Sequence, residues 1–387
     1  MNASEYAAAQ WTRATGAGLD PHEYRRVTER LESVADWGPA FRRTAHEYVR
    51  RAESAGSRLS AGQHLLTAAR WFHVATLSPY EGARPTGVAE AEAADRAAVE
   101  ASGRAAVETS GCAAVTGADR AAVTGAGRVA AKKAGRAGVE EADHVVAEAD
   151  DALARGLTLL EPGARRVSGA EFTGWLRGPA DARGTVIVVP GLDSAKEEFL
   201  ELAAALLERG LAVFAMDGPG QGALKATTTK RADYHQVIGQ VIDALGVNRV
   251  GLSLGGYYAA ETAAWEPRVA ATATVSGPFR LDWAELPQPV RDLLIQRAGG
   301  ADAARAFADQ VDLADLAPRI EIPLLTVDGG QDVIPGVTNG EPLARLAPRG
   351  THLSVPHGDH LLGNARPDWL PLLTDWITQT LTGPRER

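Results

Sequence analysis

From Thr185 onward the chain alternates short apolar runs with stretches of helical periodicity, and the first runs end in glycine or proline. Thr185–Val189 stops at Pro190-Gly191, and Leu211–Met216 stops at Asp217-Gly218-Pro219-Gly220. Val247–Leu252, Val269–Val275, Pro323–Val327 and His352–Val355 complete the strand set. Helical patterns fill Glu197–Arg209, Lys230–Leu245, Leu254–Trp265 and Pro367–Leu381. This alternation predicts an α/β fold, a mostly parallel sheet with helices on both faces. Just before it, Arg166-Val167 and Phe172–Leu176 read as a hairpin.

Residues 20–80 read as helices. Val27 and Leu31 lie four apart on one face, and Trp37-Gly38-Pro39 reads as a break. A helix is expected over 40–55 and another over 65–77, with Ser60 as its N-cap and Gln63 at the capping-box position. Leu, Trp, Phe and Val crowd that last helix, so it should be buried, with Trp71, Phe72 and His73 packing the cap. Helical character resumes over 142–160. Between these stretches Arg-Ala-Ala-Val recurs at 96–99, 104–107 and 120–123, a period of eight residues. Eight residues advance a helix by about 800°, so each valine drifts and no fixed apolar stripe forms. The chain thus divides into a helical cap (1–81), a flexible octad insertion (82–142), a cap helix and linker (143–164), and the α/β core (165–387).

The net charge of −9 excludes a generally basic nucleic-acid binder. The single cysteine, Cys112, excludes intrachain disulfides and cysteine-ligated zinc, and it sits in an arginine slot of the octads. No run reaches 18 apolar residues, and Met1–Gln10 has no apolar signal-like region. We therefore expect a cytoplasmic protein with a small-molecule substrate and neither nucleic-acid nor membrane partners. No cofactor or metal is expected, because P-loop, dinucleotide and H-E-x-x-H patterns are lacking.

Gly251-Leu252-Ser253-Leu254-Gly255 fits G-x-S-x-G between an apolar strand and a helix. In that context a sharp, strained turn exposes the serine Oγ above the sheet. An acid and a histidine follow in the order this arrangement needs. Asp332 lies after the strand at 323–327, with Asp328 as its competitor. His360 lies after the strand ending near Val355, with His357 as its rival. Such an acid holds the imidazole in the right tautomer, and the imidazole takes the serine proton. The N–H groups of Leu192 and Leu254 are the candidate oxyanion donors.

These residues resemble the α/β-hydrolase superfamily. The further words Pro190-Gly191-Leu192-Asp193-Ser194-Ala195-Lys196-Glu197-Glu198, Asp217-Gly218-Pro219-Gly220-Gln221-Gly222, Ser253-Leu254-Gly255-Gly256 and Gly358-Asp359-His360 look like one branch of it. That branch includes dihydroxypseudooxynicotine hydrolase and the fermentation-respiration switch protein. Ser60–Leu66 and His73 look like the branch's helical cap. The resemblance implies a Ser253–His360–Asp332 triad under a lid, a homodimer, and carbonyl chemistry on small aromatic or polyketide-like molecules. Two departures stand out. The strand before the serine is short and contains Asn248 and Arg249, and Leu252 stands where the family more often has arginine.

The expected activity is hydrolysis of an ester, or of a C–C bond next to a ketone. The same triad would serve a lyase that eliminates acetate from an acetylated tetronate, as in similar spirotetronate-pathway enzymes. A non-catalytic binding protein is the alternative of another class. Asp193, Tyr257, Trp283 and Glu285 are candidate substrate contacts, with surface exposure the simpler account of Asp193 and of Lys196. In some members the resemblance points to, an additional acid near the lid assists, and the segment after 269–275 offers Asp282 and Glu285.

Overall fold

The computed structural model describes residues 2–77 and 144–383. The octad insertion and Cys112 lie outside the described residues. Strands β1 (Arg165–Ser168) and β2 (Thr173–Arg177) form the expected antiparallel hairpin, and β2 also runs antiparallel to β4 (Ala212–Asp217). The remaining main strands are β3 (Thr185–Val189), β5 (Val250–Leu254), β6 (Val269–Val275), β8 (Leu324–Gly329) and β10 (Gly350–Val355). They join β4 in a parallel array, and the eight-stranded order is β1-β2-β4-β3-β5-β6-β8-β10. The short strands β7 (Arg280–Leu281) and β9 (Val337–Thr338) pair separately.

Every residue of β3 and β4 is buried, as strands covered on both faces must be. Ile187 and Val189 face one layer with Val237, Ile238 and Val241 of α7 (His235–Leu245) and with α8 (Tyr257–Trp265). Val186 and Val188 face the other layer, with α6 (Leu200–Glu208) and Leu373 and Ile377 of α12 (Arg366–Thr382). Alternation of side chains across each strand produces both layers from one apolar run. Helices α9 (Gln288–Ala298) and α10 (Ala301–Gln310) lie between β7 and β8, where the sequence patterns assigned no element, and α11 (Glu341–Leu346) precedes β10.

The cap comprises α1 (Ala3–Gly16), α2 (Pro21–Thr28), α3 (Trp37–Glu53), α4 (Arg58–Ala75) and α5 (residues 144–160). Its core is aromatic. Trp37 stacks on Phe41 at 4.2 Å and donates from Nε1 to the Val74 carbonyl at 2.9 Å. Trp71 and Phe72 are buried there, so they pack the cap as expected. Three local readings are corrected. Trp37-Gly38-Pro39 begins α3, because proline in a first turn forfeits no helical hydrogen bond. Ser57, not Ser60, caps α4, accepting from the Ser60 N–H at 3.1 Å. Helix α1 escaped notice although Asn2 and Glu5 form a capping box at its start.

Among the described residues, no helix is long and apolar enough to cross a membrane.

Candidate active site

Parallel pairing of β8 with β10 brings their carboxyl ends side by side. Asp332 leaves the first and His360 the second. His360 Nδ1 lies 3.1 Å from each carboxylate oxygen of Asp332. The Asp332 side chain is 1% exposed and that of His360 49%, so a buried acid orients an accessible imidazole. With Nδ1 engaged, Nε2 is the free ring nitrogen. Leu361 and Leu362 both have left-handed φ, and the Leu361 N–H donates to Ser276 Oγ at 3.0 Å, which ties the histidine loop to the end of β6.

The rivals are placed elsewhere. His357 pairs with Asp368 at the surface, 3.2 Å away. Asp328 accepts from the Gly340 N–H at 2.9 Å and lies 3.6 Å from His352 Nδ1. Burial raises the Asp328 pKa to about 6, with the Gly340 hydrogen bond opposing and Asp332 and Glu341 adding. The neutral carboxyl is thus favoured in the folded protein. Its stabilisation is complete below the usual carboxylate range and fades as pH rises through about 6. Asp328→Asn should therefore be about 1–2 kcal/mol more stable than the parent at pH ~8 and equal to it near pH ~4, by urea denaturation.

Ser253 departs from expectation. It is fully buried inside β5, opposite Val188 and Ala273, and its Oγ has no hydrogen-bond partner. A Cβ on Gly251 would meet Ile377 and Leu381 of α12, and Ser253, two residues on, shares that face. The left-handed turn falls one to three residues later, with φ of 66° at Leu254 and 44° at both Gly255 and Gly256. The cause is the placement of the strand. Only Val247–Arg249 separate the Gly246 cap of α7 from β5, and the ladder runs on through Leu254, so the serine lies within it. Helix α8 then starts at Tyr257 rather than at Leu254. Gly256 must be glycine here, because a Cβ would come within 2.4 Å of the Gly277 Cα.

Leu254 pairs with Val189 at the end of β3. Leu192 lies on the loop that follows β3. Gln221 Nε2 holds that loop through the carbonyls of Pro190 (2.8 Å) and Gly191 (2.7 Å).

The sequence pattern of the alpha/beta hydrolase family matches residues 186–382, more than half of the chain. The chain belongs to that family. It is 28% identical over 217 residues to 2,6-dihydropseudooxynicotine hydrolase of Paenarthrobacter nicotinovorans, covering 52% of this chain and 59% of that protein. It is 39% identical over 112 residues to 20-hydroxy-prefusarin hydrolase of Gibberella moniliformis, covering 25% of this chain and 26% of that one. The chain therefore spans less than two thirds of the length of either curated relative. In the solved structures, the 2,6-dihydroxy-pseudo-oxynicotine hydrolase superposes with a TM-score of 0.71 at 21% identity, over 96% of this chain and 95% of that one. The shared fold thus includes the cap.

In this family member an ion-pair network joins cap to core beside the loop after β3. Arg13 of α1 donates to Asp193 at 2.6 Å and to Glu198 at 2.9 Å, and His73 of α4 meets Glu198 at 2.7 Å. Burial raises the Glu198 pKa, but Arg13 and His73 outweigh it and hold the group ionised. Lys196 Nζ contacts Asp217 (2.7 Å), Glu197 (2.9 Å) and Asp150 of α5 (3.0 Å). Burial depresses the Lys196 pKa, yet the three carboxylates outweigh it and leave it raised. Surface exposure of Asp193 and Lys196 is thus corrected: Arg13 grips the first, and the second is 2% exposed. Lys196→Met would strand the fully buried Asp217 without its cation. We expect a loss of about 3–5 kcal/mol in urea denaturation.

A narrow cleft of about 10 Å³, room for about one water, opens between cap and core, lined by His73, Ala149, Asp193, Glu197, Gln221 and Arg297 among others. Ser253, Asp332 and His360 do not line it. Of the candidate contacts, Asp193 alone reaches it. Tyr257 instead donates to the Gln310 carbonyl of α10 at 3.1 Å, Trp283 packs against the α7–α8 layer, and Glu285 is exposed, as is Asp282. Among the described residues no group of three or more His, Cys, Asp or Glu is arranged to hold a metal.

Proposed function

We propose that this protein is a serine hydrolase that cleaves an ester, or a C–C bond next to a ketone, in a small organic molecule. The observation that carries this is the Asp332–His360 pair, a buried acid holding an accessible imidazole through Nδ1. Ser253 is the nucleophile. Its buried, unpartnered hydroxyl costs about 1–3 kcal/mol, and a hydroxyl kept at that cost supports a chemical role.

Reaction needs Oγ within about 3 Å of Nε2. The Leu254–Gly256 turn is the movable piece, since left-handed φ at Leu254 is unfavourable and the two glycines adapt freely. His360 then removes the Ser253 proton, and Oγ attacks the carbonyl carbon. The N–H groups of Leu192 and Leu254 take the charge on oxygen. His360 returns the proton to the leaving group, and water, activated by the same imidazole, releases the acyl product. The names of the curated relatives, both hydrolases, support this reaction class.

One observation favours a second reading. His360 stands oriented without touching Ser253, so the same imidazole is free to take a C–H proton while a carboxylate such as acetate leaves. Turnover in H₂¹⁸O separates the two. Hydrolysis places ¹⁸O in the carboxylic acid product, whereas elimination releases an unlabelled carboxylate and an alkene.

A further inference from the structure

Gln221 follows the turn after β4, and its side chain is fully buried. Its amide has four hydrogen bonds. Oε1 accepts from the Gly218 N–H at 3.0 Å and from the Tyr234 hydroxyl at 2.8 Å. These two donors fix which end of the amide is oxygen. Both Nε2 hydrogens then go to consecutive carbonyls, those of Pro190 at 2.8 Å and Gly191 at 2.7 Å. Lys230 Nζ approaches the Gly191 carbonyl as well, at 3.4 Å.

The Gly191 carbonyl and the Leu192 N–H belong to one planar peptide unit. In a trans peptide they point in opposite directions. A donor fixed on the carbonyl therefore sets the plane of the unit and the direction of its N–H. It also strengthens that N–H as a donor, because hydrogen bonds on the two ends of an amide polarise one another.

We infer that Gln221 is a positioning residue for the oxyanion site, aiming and polarising the Leu192 N–H through the Gly191 carbonyl. The inference rests on the serine-dependent reading above. Glutamate cannot replace Gln221: when ionised it still accepts from Gly218 and Tyr234 but offers no hydrogen to the loop. Methionine fills similar volume and offers neither.

The test compares the full-length parent with Gln221→Met in two measurements. Labelling with ¹³C-carbonyl glycine and ¹⁵N-leucine selects only Gly-Leu peptide units. The chain has five: Gly18-Leu19, Gly156-Leu157, Gly191-Leu192, Gly210-Leu211 and Gly251-Leu252. The Leu192 amide proton should move upfield in the variant while the other four hold their positions. On p-nitrophenyl acetate, kcat should fall about 10- to 100-fold with KM within about twofold, less than outright removal of an oxyanion donor costs. Gln221→Glu should give the same resonance shift and the same kcat loss, and it serves if the methionine variant fails to fold. An unmoved Leu192 resonance, or Ser253-dependent turnover at the parental kcat in folded variants, overturns the role of Gln221 alone. Turnover that is absent from the parent, or that survives Ser253→Ala, overturns the underlying reading and this role with it.

Discussion

Ser253→Ala should lower kcat by about 10⁴- to 10⁶-fold and at the same time stabilise the protein by about 1–2 kcal/mol. The first effect follows from loss of the nucleophile. The second follows from the site itself, because the variant removes an unpartnered hydroxyl from an apolar layer under α12. The two effects have opposite signs, which separates a functional serine from a structural one. A serine that only packed would give no loss of turnover on replacement. Steady-state kinetics and urea denaturation of the same preparation check both.

Asp332→Asn should lower kcat about 10⁴-fold with little change in KM or stability. The amide keeps the size of the carboxylate but offers an N–H to the ring. His360 Nδ1 would then have to accept rather than donate, which places the ring proton on Nε2, where the base is needed. The change also removes the negative charge that stabilises the imidazolium. Asp328→Asn, four residues earlier, should leave kcat within about threefold by the same reasoning, since Asp328 faces His352 and Gly340. Kinetics of the two variants side by side decide which acid serves His360.

The parallel sheet and the order of Ser253, Asp332 and His360 were legible because each depends on residues close in sequence. Apolar runs followed within a few residues by glycine mark strand ends, and Asp332 and His360 sit just beyond such ends. The position of Ser253 within β5 was not legible. It depends on where the ladder to β3 stops, and the motif says nothing of that. The short approach through Asn248 and Arg249 was the local sign that the strand would begin late. The cap–core network was also hidden, because Arg13, His73, Asp150 and Lys196 are far apart in sequence and meet only after the cap docks. Asp193 and Lys196 looked like surface residues because a charge in a glycine-rich loop usually is one. Helices α9 and α10 bury only short rows, Leu294 and Ala298 in the first and Ala304, Phe307 and Ala308 in the second, so their periodicity was easily passed over.

The central claim is that Ser253 acts as a nucleophile activated by His360 although it lies buried within β5. Fluorophosphonate labelling followed by peptide mass spectrometry tests this most directly, on the parent, Ser253→Ala and His360→Ala. The account predicts one adduct, on the peptide carrying Ser253, in the parent alone. An adduct on another residue, or none on Ser253 in folded parent protein, would contradict it.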